Sequence, residues 1–262
     1  MSWVTQTFSS TLGRKLIMSL SGLFLCSFLI VHMSGNLQLF YNDEGLAFNK
    51  YAVFMTTFPL IKVISYGLYA LILVHAIDGL LLAAKNRKSR GAQRYVVVQN
   101  QSTWASRNMT ILGTILLLYI IVHMQNFWYQ YKFGHVPYRQ YEQSMVTGDI
   151  TSSEYSGEPI KGKMEEFVRE ETQTRVTIVK DLYLETKEAF RNPILVIFYV
   201  LGMVALAYHL VHGFQSAFQT LGWNHPKYNP LIRFIGIWVF AIGIPLAFAA
   251  MPIYFYVKSL GA

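Results

Sequence analysis

The pattern of hydrophobic positions is dominated by long apolar runs that carry few charges. A helix needs about 20 mostly apolar residues to cross a bilayer. Five stretches are long enough: residues 16–40, 60–84, 108–131, 193–220 and 231–257. The pattern therefore predicts one all-α integral membrane domain, residues 1–262, with five transmembrane helices. The first run is too long for the apolar part of a secretory signal, and no small-residue cleavage motif follows it, so we expect it to be a span.

One long polar stretch, residues 132–191, separates the third and fourth runs. It contains 11 of the 14 acidic residues of the chain. Over residues 160–190 the apolar positions recur at helix-like spacing. These positions are Met164, Phe167, Val168, Val176, Val179, Leu182 and Tyr183. We therefore expect a long extracytoplasmic connection that is partly helical.

Composition agrees with a membrane protein, and the distribution of charge orients it. Charged residues make up 14% of the chain, whereas a soluble domain has about 25%. Ten basic and no acidic residues lie before span one, between spans two and three, and between spans four and five: Arg14, Lys15, Lys85, Arg87, Lys88, Arg90, Arg94, Arg107, Lys227 and Arg233. Because such loops stay in the cytoplasm, we expect a bacterial inner membrane protein with a cytoplasmic N-terminus and an extracytoplasmic C-terminus. The net charge of +8 is then a topology signal, and we expect no nucleic acid partner.

Histidines interrupt four of the five apolar runs. They occur in "FLIVHMSGN", "LILVHAIDG", "YIIVHMQNF" and "LAYHLVHGF", at His32, His75, His123, His209 and His212. Polar residues inside membrane helices are costly and usually face the bundle interior or a cavity. A single histidine is readily explained by a hydrogen bond to a neighbouring helix, but four histidine-bearing helices favour a shared function. His135 and His225 lie outside the runs and are interpreted as solvated.

The helical rise sorts these histidines by depth. At 1.5 Å per residue, His32 and His123 lie roughly 25 Å and 24 Å from the cytoplasmic ends of their spans. His75 lies roughly 15 Å from that side, and His209 and His212 lie roughly 20 Å and 15 Å from it. Spans one and three thus supply an outer pair, and spans two and four supply an inner pair. Depth alone slightly favours His212 over His209 as the partner of His75.

Paired imidazoles in a helical bundle indicate haem. Two facing histidines at one depth suit bis-imidazole ligation of haem iron, with apolar walls for the macrocycle. Zinc is the competing metal, but it usually takes four clustered ligands, often thiolates or carboxylates. The chain has one cysteine, Cys26, and therefore no disulfide framework or multi-thiolate site. We expect the bundle to enclose two stacked haems.

The segments around these histidines resemble the cytochrome b membrane anchor of succinate:quinone oxidoreductases, the succinate dehydrogenases and fumarate reductases. The similarity is to the single-polypeptide, five-helix, two-haem type (the b558 family) and extends over all five spans. It is carried, in order, by "FLIVHMSGN", "AFNKYAVFM", "HAIDGLLLAAKN", "YIIVHM" and "HLVHGFQSAFQTLGW". The resemblance implies that His32 and His123 ligate the outer haem b. It implies that His75 and His209 ligate the inner haem b. The resemblance therefore favours His209 as the partner of His75, whereas depth alone slightly favours His212.

The resemblance also implies a function and partners. A cytoplasmic flavoprotein subunit oxidises succinate or reduces fumarate, and an iron–sulfur subunit relays electrons to the anchor. The anchor passes them through its haems to or from a membrane quinone, with menaquinone favoured by the two-haem type. The basic cytoplasmic segments then form a platform for the iron–sulfur subunit. The chain is the quinone-reactive subunit and does not act on succinate by itself.

Two features depart from the family pattern. The 132–191 connection is longer than usual. Some relatives carry a glutamate in the fourth span shortly before the ligand, whereas Ala207 lies two positions before His209 here.

Asp78 is the one acid within a span, and it shares a helix face with His75 three residues earlier. Its role is open between a hydrogen-bonding partner of the ligand, a proton carrier and a helix-packing residue.

Other polar residues are candidates for haem and quinone contacts. Haem propionates need cations or hydrogen-bond donors, which the inner edge offers at Arg14, Lys15, Ser19, Ser21, Trp104 and Arg107. A quinone head group needs donors in a largely apolar pocket, and the outer end offers Asn36, Gln38, Gln125 and Asn126. Lipid anchoring and helix packing are the simpler explanations for these residues.

Two other functions remain open from the sequence. A dihaem cytochrome b anchor of another respiratory complex, of hydrogenase or formate dehydrogenase type, would have similar histidine-bearing spans and a different cytoplasmic partner. A transporter or a haem-free structural anchor is the alternative from another class. Transporters tend to have internal repeats and broken helices, and the sequence shows neither feature.

Overall fold

Five membrane spans form most of the computed structural model, which describes residue 6 and residues 9–90 and 103–261. The helices that are long and apolar enough to cross a membrane are Thr11–Phe40, Pro59–Ser89, Met109–Phe133, Pro193–Thr220 and Asn229–Leu260. The five predicted spans are confirmed, and the protein is a multi-pass membrane protein. Arg94, part of the basic stretch between spans two and three, lies outside the described residues.

The regular elements follow the chain in a mostly helical order. The helices are α1 Thr11–Asn36, α2 Leu46–Thr57, α3 Pro59–Arg90, α4 Trp104–Arg107, α5 Met109–His123, α6 Gln130–Phe133, α7 Leu182–Ala189, α8 Pro193–Thr220, α9 Asn229–Phe234 and α10 Ile244–Leu260. Turns of 3₁₀ helix are found at Leu37–Phe40 and Glu170–Thr172. The π-helical segments Met124–Tyr129 and Ile235–Gly243 continue α5 into α6 and α9 into α10.

Local sequence signals determine where the membrane helices begin. Pro59 and Pro193 are the first residues of α3 and α8, where the missing N–H of proline costs no helical hydrogen bond. The side chain of Asn192 accepts a hydrogen bond from the Ile194 N–H at 2.9 Å, which caps the start of α8. Large side chains such as Val63 are left exposed on the spans (67%), as expected where a helix faces lipid.

A small antiparallel sheet lies in the connection between the third and fourth spans. Its strands are β1 Tyr138–Ser144, β2 Ile150–Glu154, β3 Met164–Arg169 and β4 Thr174–Lys180, in the order β2-β1-β4-β3. Tyr141 of β1 pairs with Thr177 of β4, and Val176 of β4 pairs with Phe167 of β3. The helical membrane fold is thus confirmed with a sheet added to it.

The amphipathic helix expected over residues 160–190 is wrong except for α7. Strands β3 and β4 both lie in that range. β4 reads TRVTIVK, and a short run of β-branched residues fits a buried strand as well as a helix face. The side chain of Asp181 accepts a hydrogen bond from the Leu184 N–H at 3.0 Å and so starts α7.

The chain divides into two compact units. The first comprises Met1–Val31, Tyr66–Tyr119 and Tyr199–Ala249, and the second comprises His32–Ser65, Ile120–Phe198 and Ala250–Ala262. In the first unit, Leu112 and Leu116 of α5 pack against Ala205 of α8. In the second unit, Leu46 and Val53 of α2 pack against Tyr141 and Val179 of the sheet. Each unit contains one of the two predicted histidine pairs.

Candidate functional site

The first unit brings two of the predicted histidines together. The rings of His75 on α3 and His209 on α8 have centroids 6.2 Å apart and planes inclined by 64°. These residues come from spans two and four, the combination that depth predicts for the inner pair. Two imidazoles therefore meet between helices built largely of apolar side chains.

The second unit contains the other pair. The rings of His32 on α1 and His123 at the end of α5 have centroids 5.8 Å apart and nearly perpendicular planes, at 85°. Phe127 packs edge-on against His123, with centroids 5.4 Å apart. The π-helical segment Met124–Tyr129 begins directly after His123. Such segments are rare and are frequent at functional sites, so the helix is locally irregular where the outer pair lies.

The spacing within both pairs fits a metal ion held between two imidazoles. Bonds from a metal to histidine nitrogen are about 2.0 Å long, so a shared metal keeps the two nitrogens about 4 Å apart. Each nitrogen lies about 1.1 Å from the centre of its ring, which puts the centroids roughly 6 Å apart. The observed separations of 6.2 Å and 5.8 Å agree with this value. The residues present therefore fit haem iron with two axial histidines.

The donor set favours haem over zinc. Within residues 9–90 and 103–261 and at residue 6, no group of three or more His, Cys, Asp and Glu side chains is placed to hold a metal ion. A zinc site takes three or four protein ligands. Haem needs two from the protein, because the macrocycle supplies the others. Pairs of histidines without a third ligand are therefore suited to haem.

Ser21 determines which nitrogen of His75 is available to a metal. Ser21 Oγ lies 3.0 Å from His75 Nδ1 and donates to the backbone oxygen of Ile17 at 2.8 Å. Because the hydroxyl proton is used on Ile17, Ser21 accepts from Nδ1, and we assign the ring proton to Nδ1 on this basis. His75 Nε2 then keeps its lone pair. A metal-binding histidine normally donates its other N–H to such an acceptor.

Glycines lie against both rings of the inner pair. A Cβ atom at Gly22 on α1 would lie 3.3 Å from Cε1 of His75, and one at Gly113 on α5 would lie 3.9 Å from Cε1 of His209. A Cβ at Gly213, one turn after His209, would lie 3.9 Å from Cδ2 of that ring. Longer side chains at these positions would fill the space beside the imidazoles. The glycines therefore let the neighbouring helix backbone approach the two rings closely.

His209 and His212 differ in their surroundings. His209 Nδ1 is buried and has no hydrogen-bond partner among the described residues, and an orphaned polar group of this kind costs about 1–3 kcal/mol. His212 is partly exposed, and Ser216 Oγ lies 3.2 Å and 3.4 Å from its two ring nitrogens. The ring that faces His75 is that of His209. His209 is therefore the histidine of this span that pairs with His75, and His212 pairs with Ser216.

Asp78, whose role the sequence left open, forms an ion pair with Arg14. Arg14 Nη1 lies 3.3 Å from Asp78 Oδ1, and the two side chains are 27% and 14% exposed. The pair links the first span to the second, one turn from His75. Because a carboxylate in a membrane helix needs a partner, Arg14 is engaged by Asp78 in this structure.

The other predicted propionate contacts have separate surroundings. Ser19 is buried and donates to the backbone oxygen of Lys15 at 2.8 Å. Trp104 is exposed and packs edge-on against Tyr208, with centroids 5.3 Å apart. Lys15 and Arg107 are exposed. Of the six predicted residues, the structure brings Ser21 to a histidine ring.

The structure places the four predicted quinone residues in different surroundings. Asn36 Nδ2 lies 3.3 Å from His32 Nδ1 and donates to the His32 backbone oxygen at 2.8 Å, so Asn36 belongs with the outer pair. Gln38 is partly buried and Gln125 is exposed. Asn126 lines a cavity of about 380 Å³ in the second unit, with Gln130, Glu185, Glu188, Ala189, Asn192 and Leu195. Burial, with the charges of Asp181 and Glu188, raises the pKa of Glu185. A cavity lined by two carboxylates, those of Glu185 and Glu188, differs from the largely apolar pocket that a quinone requires.

Comparison with known proteins does not show a family for this chain. No family model, curated protein or solved structure matches the chain. The similarity to cytochrome b anchors therefore rests on the segments quoted above and on the histidine pairs.

Sequence reasoning missed three features around the inner pair: the contact of Ser21 with His75, the glycines beside the rings, and the pairing of Arg14 with Asp78. The adjacent Ser21 and Gly22 in an apolar run were a usable signal, because small residues mark close helix packing. Lone opposite charges near the cytoplasmic ends of spans one and two were a signal for the ion pair.

Proposed function

We propose that the chain is the dihaem cytochrome b membrane anchor of a succinate dehydrogenase or fumarate reductase. The observation that carries the proposal is that four spans contribute two histidine pairs, with ring centroids 6.2 Å and 5.8 Å apart. This spacing supports two bis-histidine haem sites. The order of the histidine-bearing segments along the chain supports this class of anchor.

In this proposal, His75 and His209 hold one haem b, and His32 and His123 hold the other. Haem b supplies reversible one-electron transfer when it is bound. Ser21 fixes the tautomer of His75 by accepting from Nδ1, so that Nε2 is left for the iron. Gly22 and Gly113 let α1 and α5 pack closely against the two inner rings.

Partners on two sides complete the proposed electron path. The exposed residues Lys85, Arg87 and Lys88 at the end of α3 lie on the side that the distribution of charge assigns to the cytoplasm of a bacterial inner membrane. There they dock the iron–sulfur subunit, which exchanges electrons with the flavoprotein subunit. A membrane quinone, with menaquinone as the expected species, exchanges electrons with the haems.

Purification of the tagged chain from its native membrane tests the proposal. A flavoprotein with bound FAD and an iron–sulfur protein should co-purify, and succinate should reduce the b-type absorption bands of the complex. A chain with both His75→Ala and His32→Ala should lose those bands, while an exposed His225→Ala control should keep them. Co-purification of a hydrogenase or formate dehydrogenase subunit would mean that the chain is the anchor of that other complex. Absence of b-type bands from the unmodified complex would contradict both versions.

A further inference from the structure

Two lysines of the second unit cover one tyrosine ring. Lys163 Nζ lies 4.6 Å from the centroid of Tyr131, and Lys180 Nζ lies 5.2 Å from it. Lys163 Nζ donates to Thr56 Oγ1 at 2.9 Å, and Lys180 Nζ donates to the backbone oxygen of Tyr131 at 2.6 Å. Both ammonium groups are thus held in place by neutral partners.

The charges of two further lysines, Lys62 and Lys132, also act on Lys163. We call Lys62, Lys132, Lys163 and Lys180 the lysine cluster. The pKa of Lys163 is lowered to about 8, chiefly by burial and then by the charges of Lys180, Lys132 and Lys62 in that order. The structure pairs none of the four with a carboxylate among the residues it describes. Elsewhere in the second unit Lys50 does have such a partner, Glu166 at 2.7 Å. The charge of Glu185 acts on Lys180 and opposes the lowering of its pKa, but four lysines with one nearby carboxylate leave the lysine cluster with an excess of positive charge.

The lysine cluster lies where lipid head groups are found. Lys62 is in the first turn of the second span, and Lys132 is in the last turn of the third. Lys132 Nζ lies 5.1 Å from the ring centroid of Trp128. Tryptophan, tyrosine and lysine at span ends mark the boundary between the hydrocarbon core and water. Lys163 and Lys180 reach the same place from the sheet, which the 132–191 connection adds to the five spans.

We propose that the lysine cluster binds the phosphate group of an anionic phospholipid. A phosphate diester carries the opposite charge, and its oxygens accept hydrogen bonds from several ammonium groups at once. Binding relieves the repulsion that Lys180, Lys132 and Lys62 exert on Lys163. The long connection thereby gains a role, because its sheet completes a lipid site that the spans alone supply with two lysines.

Titration of lipid onto the detergent-solubilised full chain tests the proposal. Native mass spectrometry would follow phosphatidylglycerol bound per chain, with phosphatidylcholine as the neutral-lipid control and glycerol phosphate as the free-phosphate competitor. The variant is Lys163→Met with Lys180→Met. Its matched control, Lys161→Met with Lys187→Met, removes the same charge from exposed positions of the same connection. A second variant, Lys62→Met with Lys132→Met, changes exposed residues and serves if the first does not fold.

The unmodified chain should bind phosphatidylglycerol in preference to phosphatidylcholine. Either cluster variant should bind it at least about tenfold more weakly, and Lys163→Arg with Lys180→Arg should restore binding. The control pair should bind like the unmodified chain. Equal weakening in the control would show that net charge alone is responsible and would overturn the proposal. Displacement by glycerol phosphate at the same concentration as the lipid would also overturn it, because the site would then take phosphate from solution.

Discussion

Two sets of buried polar side chains in this protein have opposite relations to their neighbours. In the sheet region of the second unit, Asn49 and Asp181 are 0% and 1% exposed, and the chain itself supplies their hydrogen-bond partners. In the first unit, His75 and His209 face each other, and a nitrogen of His209 has no partner among the described residues.

The sheet region shows how the chain satisfies buried polar atoms when it needs only structure. Asn49 Nδ2 donates to Asp181 Oδ1 at 2.8 Å and to Tyr141 Oη at 3.1 Å, while its Oδ1 accepts from the Tyr183 N–H at 2.9 Å. Asp181 also pairs with Arg139. The network joins α2, β1 and the start of α7 through contacts within the chain.

The inner histidine pair is satisfied only in part, because His75 contacts Ser21 whereas Nδ1 of His209 has no partner among the described residues. The ring centroids are 6.2 Å apart, a separation that is compatible with a metal ion held between two imidazoles. An unsatisfied buried group is costly. The comparison separates polar residues whose partners all lie within the chain from a histidine pair that we propose to be haem ligands.

The largest expected effect comes from removing a facing histidine. His209→Ala should reduce haem from two per chain to one, because the inner iron loses an axial ligand. His212→Ala, three residues along the same helix, should keep two haems, since its ring contacts Ser216. Pyridine haemochrome quantitation would measure both, and the reverse result would move the ligand to His212.

Asp181→Ala should destabilise the second unit by about 3–5 kcal/mol, because it leaves Arg139 and Asn49 without their carboxylate. Thermal unfolding of the purified chain would measure the loss. Asp149→Ala is the control, since this carboxylate is exposed on a hairpin and should cost little. Similar midpoints for the two variants would mean that the network does not hold the sheet.

Ser21→Ala should weaken the inner haem without removing it. Loss of the Ser21 hydroxyl removes one hydrogen-bond partner of His75 Nδ1 and leaves the backbone of Met18, which should lower haem affinity about 10-fold. Transfer of haem to an apo-globin acceptor would report the rate of loss. Ser19→Ala removes an equally buried hydroxyl that bonds only to Lys15 O in the described contacts, and it should leave the rate unchanged. Equal rates in both variants would remove the proposed role of Ser21.

The smallest expected effect is a dependence of folding stability on pH that comes from Lys163. Its pKa is lowered to about 8 in the folded chain from an ordinary value of 10.5. Between these values the unfolded chain binds more protons, so this residue makes the fold more stable as pH rises. In detergent without anionic lipid, the unmodified chain should therefore gain stability relative to Lys163→Met between pH 7 and pH 10. Chemical denaturation of both proteins at pH 7 and pH 10 would test this. An equal difference in unfolding free energy at the two pH values would contradict the lowered pKa of Lys163.

The spans were predictable because lipid imposes a long apolar pattern that no soluble element shares. Their observed ends, such as Thr11 and Leu260, extend the predicted ends by a few residues of interfacial character. The sheet was not predicted, because Val176 and Val179 of β4 are three apart and fit a helical period as well as a strand buried on both faces.

The candidate site was predictable in part. Depth along each helix follows from the order of residues in the chain, and depth alone groups His32 with His123. Which of His209 and His212 faces His75 depends on how α8 is rotated about its axis, and the choice between residues three apart is set by packing. The contacts of Ser21 and Asp78 depend on which spans are neighbours, which the sequence of a single chain does not reveal.

The most direct test of the account is the haem content of the purified chain. Pyridine haemochrome quantitation should give two b-type haems per unmodified chain, and one each for His75→Ala and His32→Ala. A folded unmodified chain that binds no haem would contradict the account, because the two histidine pairs would then be partners of each other and not ligands of iron.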